Sequence, residues 1–116
     1  MAARFNLVDF GAGTWRAGFL LFARDITYRP GNAGDFTIPA FLRGLRSEDT
    51  FAAAMQQDSV LEMDAAVFAS TIGQATPRRY DRAVVGGQSF SVEEWRGAPN
   101  DAQPVFFKLL VRGGQQ

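Results

Sequence analysis

The pair Gly86-Gly87 lies between two extended apolar runs, and that placement constrains the fold more than any other stretch. Arg82-Ala-Val-Val85 precedes it. Gln88 to Trp95 follows, with Phe90 and Val92 on one face and Ser89, Ser91 and Glu93 on the other. Glycine reaches the positive φ angles of tight hairpin turns, so this arrangement predicts a β-hairpin. After the polar turn Gly97-Ala-Pro-Asn-Asp101 comes a third run, Val105 to Arg112. Its period-2 faces are Val105, Phe107, Leu109 and Val111 against Phe106, Lys108, Leu110 and Arg112. The first face is wholly apolar and the second mixed, as in a strand with one side in a core and the other partly covered. Tyr80 to Gly113 therefore reads as a three-stranded meander, and it holds no catalytic arrangement.

Composition narrows the function classes. A chain of 116 residues is expected to form one domain with a single core. Twelve Lys and Arg balance twelve Asp and Glu. A net charge of zero argues against affinity built on neutralising phosphates. There is no cysteine, which excludes disulfides and thiolate metal sites, and no histidine, the commonest general base and transition-metal ligand. No cofactor or metal is expected. No stretch reads as a signal peptide or a bilayer span, so the expectation is a soluble cytoplasmic protein without membrane contact.

Upstream, residues 1 to 13 carry Phe5, Leu7, Val8 and Phe10 before Gly11-Ala-Gly13. This is too short to fold alone and too apolar for a solvated tail. Thr14 can cap a helix from Trp15 to about Arg24, with Trp15, Phe19, Leu20 and Ala23 on its apolar side. Residues 1–24 are then either a helix closing the core or an arm that docks on another subunit. Asp25 to Arg29 alternates and ends at Pro30-Gly31, a strand and a turn. A second strand runs through Phe36, Ile38, Ala40 and Leu42. Pro39 cannot donate to a ladder, so that strand must be an edge or pair on one side only at that point. Arg43 to Ser59 reads as one helical turn or a long loop. Phe51 and Met55 either form an apolar tip for a partner or tuck onto the core.

Ser59 to Asp64 is another strand, with Leu61 and Met63 opposite Glu62 and Asp64. Asp64 then either caps a short helix ending at Gly73, with Val67, Phe68 and Ile72 buried, or the strand continues through Val67. The expected fold is mainly β: a small barrel or sandwich of five to six short antiparallel strands over residues 25–113. An N-terminal helix or arm precedes it, and 114–116 form a short tail.

Three groups bear testing for chemistry. Glu93 and Glu94 are adjacent, and neighbouring strand residues face opposite ways, so they make a poor carboxylate pair unless a bulge intervenes. The apolar phase does shift between Val92 and Trp95, as a bulge would require; a solvated edge is the plainer reading. Arg78 and Arg79 either grip a phosphate or a partner's carboxylate, or stand in an ordinary exposed turn. Gly11-Ala-Gly13 is only a fragment of a dinucleotide-binding pattern. Serine and threonine have no imidazole to activate them, so no enzymatic activity is expected.

The order of motifs carries a resemblance. Ile26-Thr-Tyr-Arg-Pro30 opens, Pro77-Arg-Arg-Tyr-Asp-Arg82 follows the central excursion, then Val85-Gly-Gly-Gln-Ser-Phe-Ser-Val92, and Leu110-Val-Arg112 closes. This resembles the small head–tail joining (head-completion, stopper or tail attachment) proteins of tailed bacteriophages. Those carry an I-T-Y-x-P opening, a P-x-x-G-D-x-V turn, a G-x-x-Y-x-V hairpin and a closing L-x-L-R strand. Asp81 matches the turn's aspartate, Tyr80 stands where glycine is usual, and Phe90 replaces the common tyrosine. The resemblance covers roughly residues 25 to 113. It implies a small β-barrel in the virion neck, assembled in the host cytoplasm as a homo-oligomeric ring. The ring would contact portal or adaptor above and tail terminator or tail tube below, with genome DNA crossing its lumen without sequence-specific binding. On this reading Phe5, Leu7, Phe10, Phe51, Met55, Arg78 and Arg79 are the expected partner contacts, with the arm and the Ser47 to Asp58 loop ordering on assembly. The competing class is an OB-like barrel that binds nucleic acid or a small ligand through a basic groove with stacking aromatics.

Overall fold

A computed structural model describes residues 18–19, 21–31, 34–47 and 49–113. Phe5, Leu7, Phe10, Trp15 and Leu20 lie outside the described residues. Among the described residues are six strands and an eight-residue helix, with Gly18, Phe19, Leu21 and Phe22 helical ahead of them. In chain order they are β1 (Arg24–Arg29), β2 (Phe36–Gly44), β3 (Ser59–Asp64), α1 (Ala65–Ile72), β4 (Arg82–Val85), β5 (Gln88–Ala98) and β6 (Phe106–Gly113). The strands close into an antiparallel barrel in the order β1-β2-β3-β6-β5-β4. Two meanders, β1 to β3 and β4 to β6, thus join edge to edge, which removes the open sheet edges a single meander would leave.

Local sequence accounts for most of this. Gly86 and Gly87 take φ of 57° and 82°, and the β4–β5 hairpin turns on them. Pro39 faces Asp25 of β1, while the β2–β3 register begins at Phe41. β2 therefore passes from one neighbour to the next, and its missing amide falls where β3 makes no demand. The β5–β6 register slips between Val92 and Glu94. Phe90, Val92 and Trp95 pack in one core although Val92 and Trp95 are three positions apart, and only an inserted residue, Glu93, allows that. Asp64 does cap a helix: its Oδ1 accepts from the Ala66 and Val67 amides at 2.9 and 3.0 Å. Gly73, at φ 83°, closes the helix by donating to the Ala69 carbonyl. Phe68 and Ile72 are buried, but Val67 is not. It lies about 100° round the helix from Phe68 and faces solvent.

The core is the set of inward positions that the alternation identified. Tyr28, Ile38, Leu61, Met63, Phe107 and Leu109 are essentially inaccessible. Phe68 meets Tyr28 and Phe107 edge-on at 5.2 and 5.5 Å, and Trp95 meets Phe107 at 5.4 Å. Of the expected N-terminal apolar side, Phe19 is buried and Ala23 half-buried; Leu21 and Phe22, outside that expected side, are exposed.

The turn ahead of β4 contains an anomaly. Tyr80 has φ 72°, a left-handed conformation that costs a side-chain-bearing residue roughly 1–2 kcal/mol. Its amide donates to the Val92 carbonyl at 2.7 Å and the Arg79 guanidinium rests 4.7 Å from its exposed ring. Glycine would relieve the strain and lose only an exposed cation–π contact of about 0.5–1 kcal/mol. Tyr80→Gly should be neutral to slightly stabilising in urea denaturation, and clearly more stable than Tyr80→Ala. A glycine variant less stable than the alanine one would show that the ring, not the backbone, decides this position.

Candidate assembly surfaces

The connection from β2 to β3 is a long loop, the second of the two expected readings, and it is pinned rather than free. Residues 45–58 fold back as a strap across the outer face of the barrel, held by side chains that point outward from β2, β3, β5 and β6. Arg43 is the first anchor. Its guanidinium donates to both oxygens of Asp49 at 2.7 and 2.9 Å, to Glu62 through Nε, and to the Gly44 carbonyl at 3.0 Å. Asp49 also accepts from the Arg46 amide at 2.7 Å and lies 3.5 Å from the Lys108 ammonium. The Arg43 contact first, reinforced by the Arg46 amide, holds the Asp49 carboxyl at about 2, below its usual 3.8.

Arg112 is the second anchor. It makes a two-pronged bond to Asp58 at 2.8 and 2.9 Å, reaches Glu93 at 3.3 Å and donates to the Ala53 carbonyl. That pairing likewise lowers the Asp58 carboxyl. Glu94 is the third, accepting from the Ala53 and Ala52 amides at 2.9 and 3.3 Å. Beneath the strap, Phe51 packs with Val60, Leu110 and Leu45 in a small cluster separate from the main core.

This geometry corrects several expectations. Phe51 is buried, not an apolar tip, because Val60 and Leu110 project outward from β3 and β6 and need a cover. Met55 does stand at the tip, 50% exposed. Glu93 and Glu94 are not a solvated edge. The bulge turns both toward the strap, where Glu93 also accepts from the Ser91 hydroxyl. Glu62 and Asp64, placed by alternation on the face opposite Leu61 and Met63, are buried there, Glu62 against Arg43 and Asp64 as the helix cap. Lys108 sits beside Asp49 on the mixed, partly covered face expected for it.

Arg78 and Arg79 are exposed on the turn before β4, on a different connection from Met55. Comparison with known proteins returned nothing. No family model, curated protein or solved structure matches the chain. The reading of its surfaces therefore rests on its own residues.

Two of the hollows among the described residues measure about 380 Å³ each. One lies between the strap and the β5–β6 connection, with Thr50, Phe51, Pro99 and Lys108 on its walls. Arg96 borders it too, but already pairs with Glu94 and Asp101, as Lys108 does with Asp49. Its cations are spoken for, which makes it a poor anion site. The other is an apolar groove beside the start of β1. Sequence reasoning missed it: Leu21 and Phe22 fall off the apolar side assigned to the predicted helix, and nothing local marks the strand edge beside them. Among the described residues, no group of three acidic, histidine or cysteine side chains could hold a metal, and no helix is long and apolar enough to cross a membrane. The ionisable groups that meet are matched acid to base. This arrangement holds a strap in place.

Proposed function

We propose that the protein is a structural component of the neck of a tailed bacteriophage, a ring subunit that completes the head and receives the tail. The observation that carries this reading is Tyr80. It stands where the head–tail joining proteins have glycine, and it holds the left-handed φ of 72° that a glycine would hold with ease. A coincidental string of short motifs has no reason to place a strained residue at that position. A second contact supports the alignment. Tyr28, from the opening Ile26-Thr-Tyr-Arg-Pro30, donates to Asp81 of the turn motif at 2.6 Å, so two motifs 53 residues apart meet in space. The closed six-stranded barrel suits a rigid ring subunit. Its work is assembly, without catalysis or cofactor, through contacts to its own copies, to portal or adaptor, and to tail terminator or tail tube. The OB-like alternative gains nothing from the site, since Tyr28, Phe68, Trp95 and Phe107 are committed to the core and offer bases no stacking platform.

The test is a gene deletion in the encoding phage, with particles viewed by electron microscopy. Deletion should leave filled heads beside separate, complete tails. Complementation by Met55→Asp lacking residues 2–10 should leave the same picture, although that variant folds. Infectious particles from the deletion would overturn the proposal, and absent heads or tails would assign the protein to another step.

A further inference from the structure

The groove beside β1 is lined mostly by apolar side chains. Leu21 and Phe22 are 77% and 60% exposed, and both stand on its wall. Phe22 leans on Phe41 at 5.7 Å, and Ile26, Leu42 and Val85 line the rest. Single exposed apolar residues are ordinary, but two adjacent ones over an apolar groove mark a contact surface. The backbone adds to this. β4 registers with β1 only from Thr27 to Arg29, whereas β2 registers with it from Arg24. At Arg24 to Ile26 the strand therefore has β2 on one side and the groove on the other. A strand edge beside an apolar channel is the arrangement that accepts an added strand.

The chain itself contains a suitable occupant. Residues 5–10 read Phe-Asn-Leu-Val-Asp-Phe, apolar enough to fill the channel and with one acid to face Arg24 on its rim. Gly11-Ala-Gly13 follows in the sequence, and seven residues, 11–17, separate the segment from the helical residues that begin the groove's wall. Seven residues reach roughly 23–25 Å when extended, enough to cross to a neighbour. To fill the groove of its own chain, the segment would have to reverse over that same linker and run back across Leu21 and Phe22. Entering another chain's groove requires no reversal.

We propose that the groove receives residues 5–10 of a second copy of this chain. Each copy gives an arm to one neighbour and takes an arm from the other, a head-to-tail contact that closes into a ring when the rotation allows. The exchange deepens the neck-ring reading and depends on it for closure, but the docking contact can be measured on the purified protein alone.

The absence of cysteine makes the test clean. Full-length Leu7→Cys and Val85→Cys proteins are mixed at high concentration and oxidised, because a disulfide forms only where Cβ atoms come within about 4.5 Å. A covalent heterodimer should form at several times the yield given by Leu7→Cys with Val67→Cys, whose second site is exposed but outside the groove. Phe41→Cys replaces Val85→Cys should that variant fold poorly. Adding Leu21→Asp and Phe22→Asp to the groove partner should cut the yield at least about fivefold. A yield no higher than the Val67 control overturns the proposal. So does a Leu7→Cys/Val85→Cys chain that closes on itself as a monomer. Either result leaves the phage deletion experiment untouched.

Discussion

Arg43→Met should destabilise the protein by about 3–5 kcal/mol and release the strap. The side chain of Asp49 is wholly inaccessible and that of Glu62 nearly so, and both bond the Arg43 guanidinium. Removing the cation leaves two carboxylates close together with little access to water, and breaking one side of a buried ionic cluster costs about that much. Lys108, 3.5 Å from Asp49, is too far for a direct hydrogen bond and offsets only part of the loss. Methionine fills much of the arginine stem's volume, so packing contributes little to the change. A local readout separates strap release from general unfolding. Phe51 is buried in the parent protein, and chymotrypsin should cleave after it far faster in the variant under conditions where the barrel stays folded.

The same cluster sets an acid limit. Asp49 is held at about 2 in the folded protein against 3.8 ordinarily, and Asp58 is also lowered. Groups with depressed folded values contribute stability above their unfolded value and lose it as pH falls through the folded one. Parent stability should therefore fall between about pH 4 and pH 2, with a flatter curve in Arg43→Met. Urea midpoints measured across that range decide the matter: parallel curves would show that Asp49 titrates independently of Arg43.

The parts of this fold legible in the sequence are those governed by neighbours along the chain. Gly86-Gly87 sets a turn because the φ requirement is local. Asp64 and Gly73 bound a helix because capping reaches only three residues. Even the Glu93 bulge shows as a break in alternation between Val92 and Trp95. The strap was not legible, because its anchors come from far apart in the chain. Arg112 and Asp58 are separated by 54 positions, and Arg43 bonds Glu62 across 19. No period links such residues, and a charged loop with one phenylalanine reads the same whether it covers Val60 and Leu110 or hangs free. Glu62 misled for a related reason. Alternation tells which face a residue occupies and not what covers that face, so an outward glutamate under a strap looks like a solvated one.

Asp81→Ala should cost about as much as Arg43→Met, for a different reason. Asp81 is buried, and its two oxygens accept from the Tyr28 hydroxyl at 2.6 Å and from the Gly31 amide, Gln74 Nε2 and the Arg78 amide, each at 3.1 Å. One carboxylate therefore ties together the end of β1, the turn after it and the segment between α1 and β4. Burial, and then the Asp81 carboxylate, push the Tyr28 hydroxyl far above its usual range, so it remains a donor at every working pH. Alanine leaves that hydroxyl and two amides without their acceptor, and an unsatisfied buried donor costs about 1–3 kcal/mol. Water entering the vacated space can serve the exposed side of the turn but not Tyr28, which is inaccessible. A loss of about 3–5 kcal/mol is then expected, a large share of the 5–15 kcal/mol that such domains possess. Tyr28→Phe removes one donor and leaves the carboxylate three, so it should cost only about 1–2 kcal/mol. If the shared hydrogen bond carries the effect, Tyr28→Phe should cost almost nothing further in the Asp81→Ala background, and a double-mutant cycle by urea denaturation measures that coupling. Fully additive losses would mean that Asp81 acts through the turn amides alone and that Tyr28 matters only for its ring.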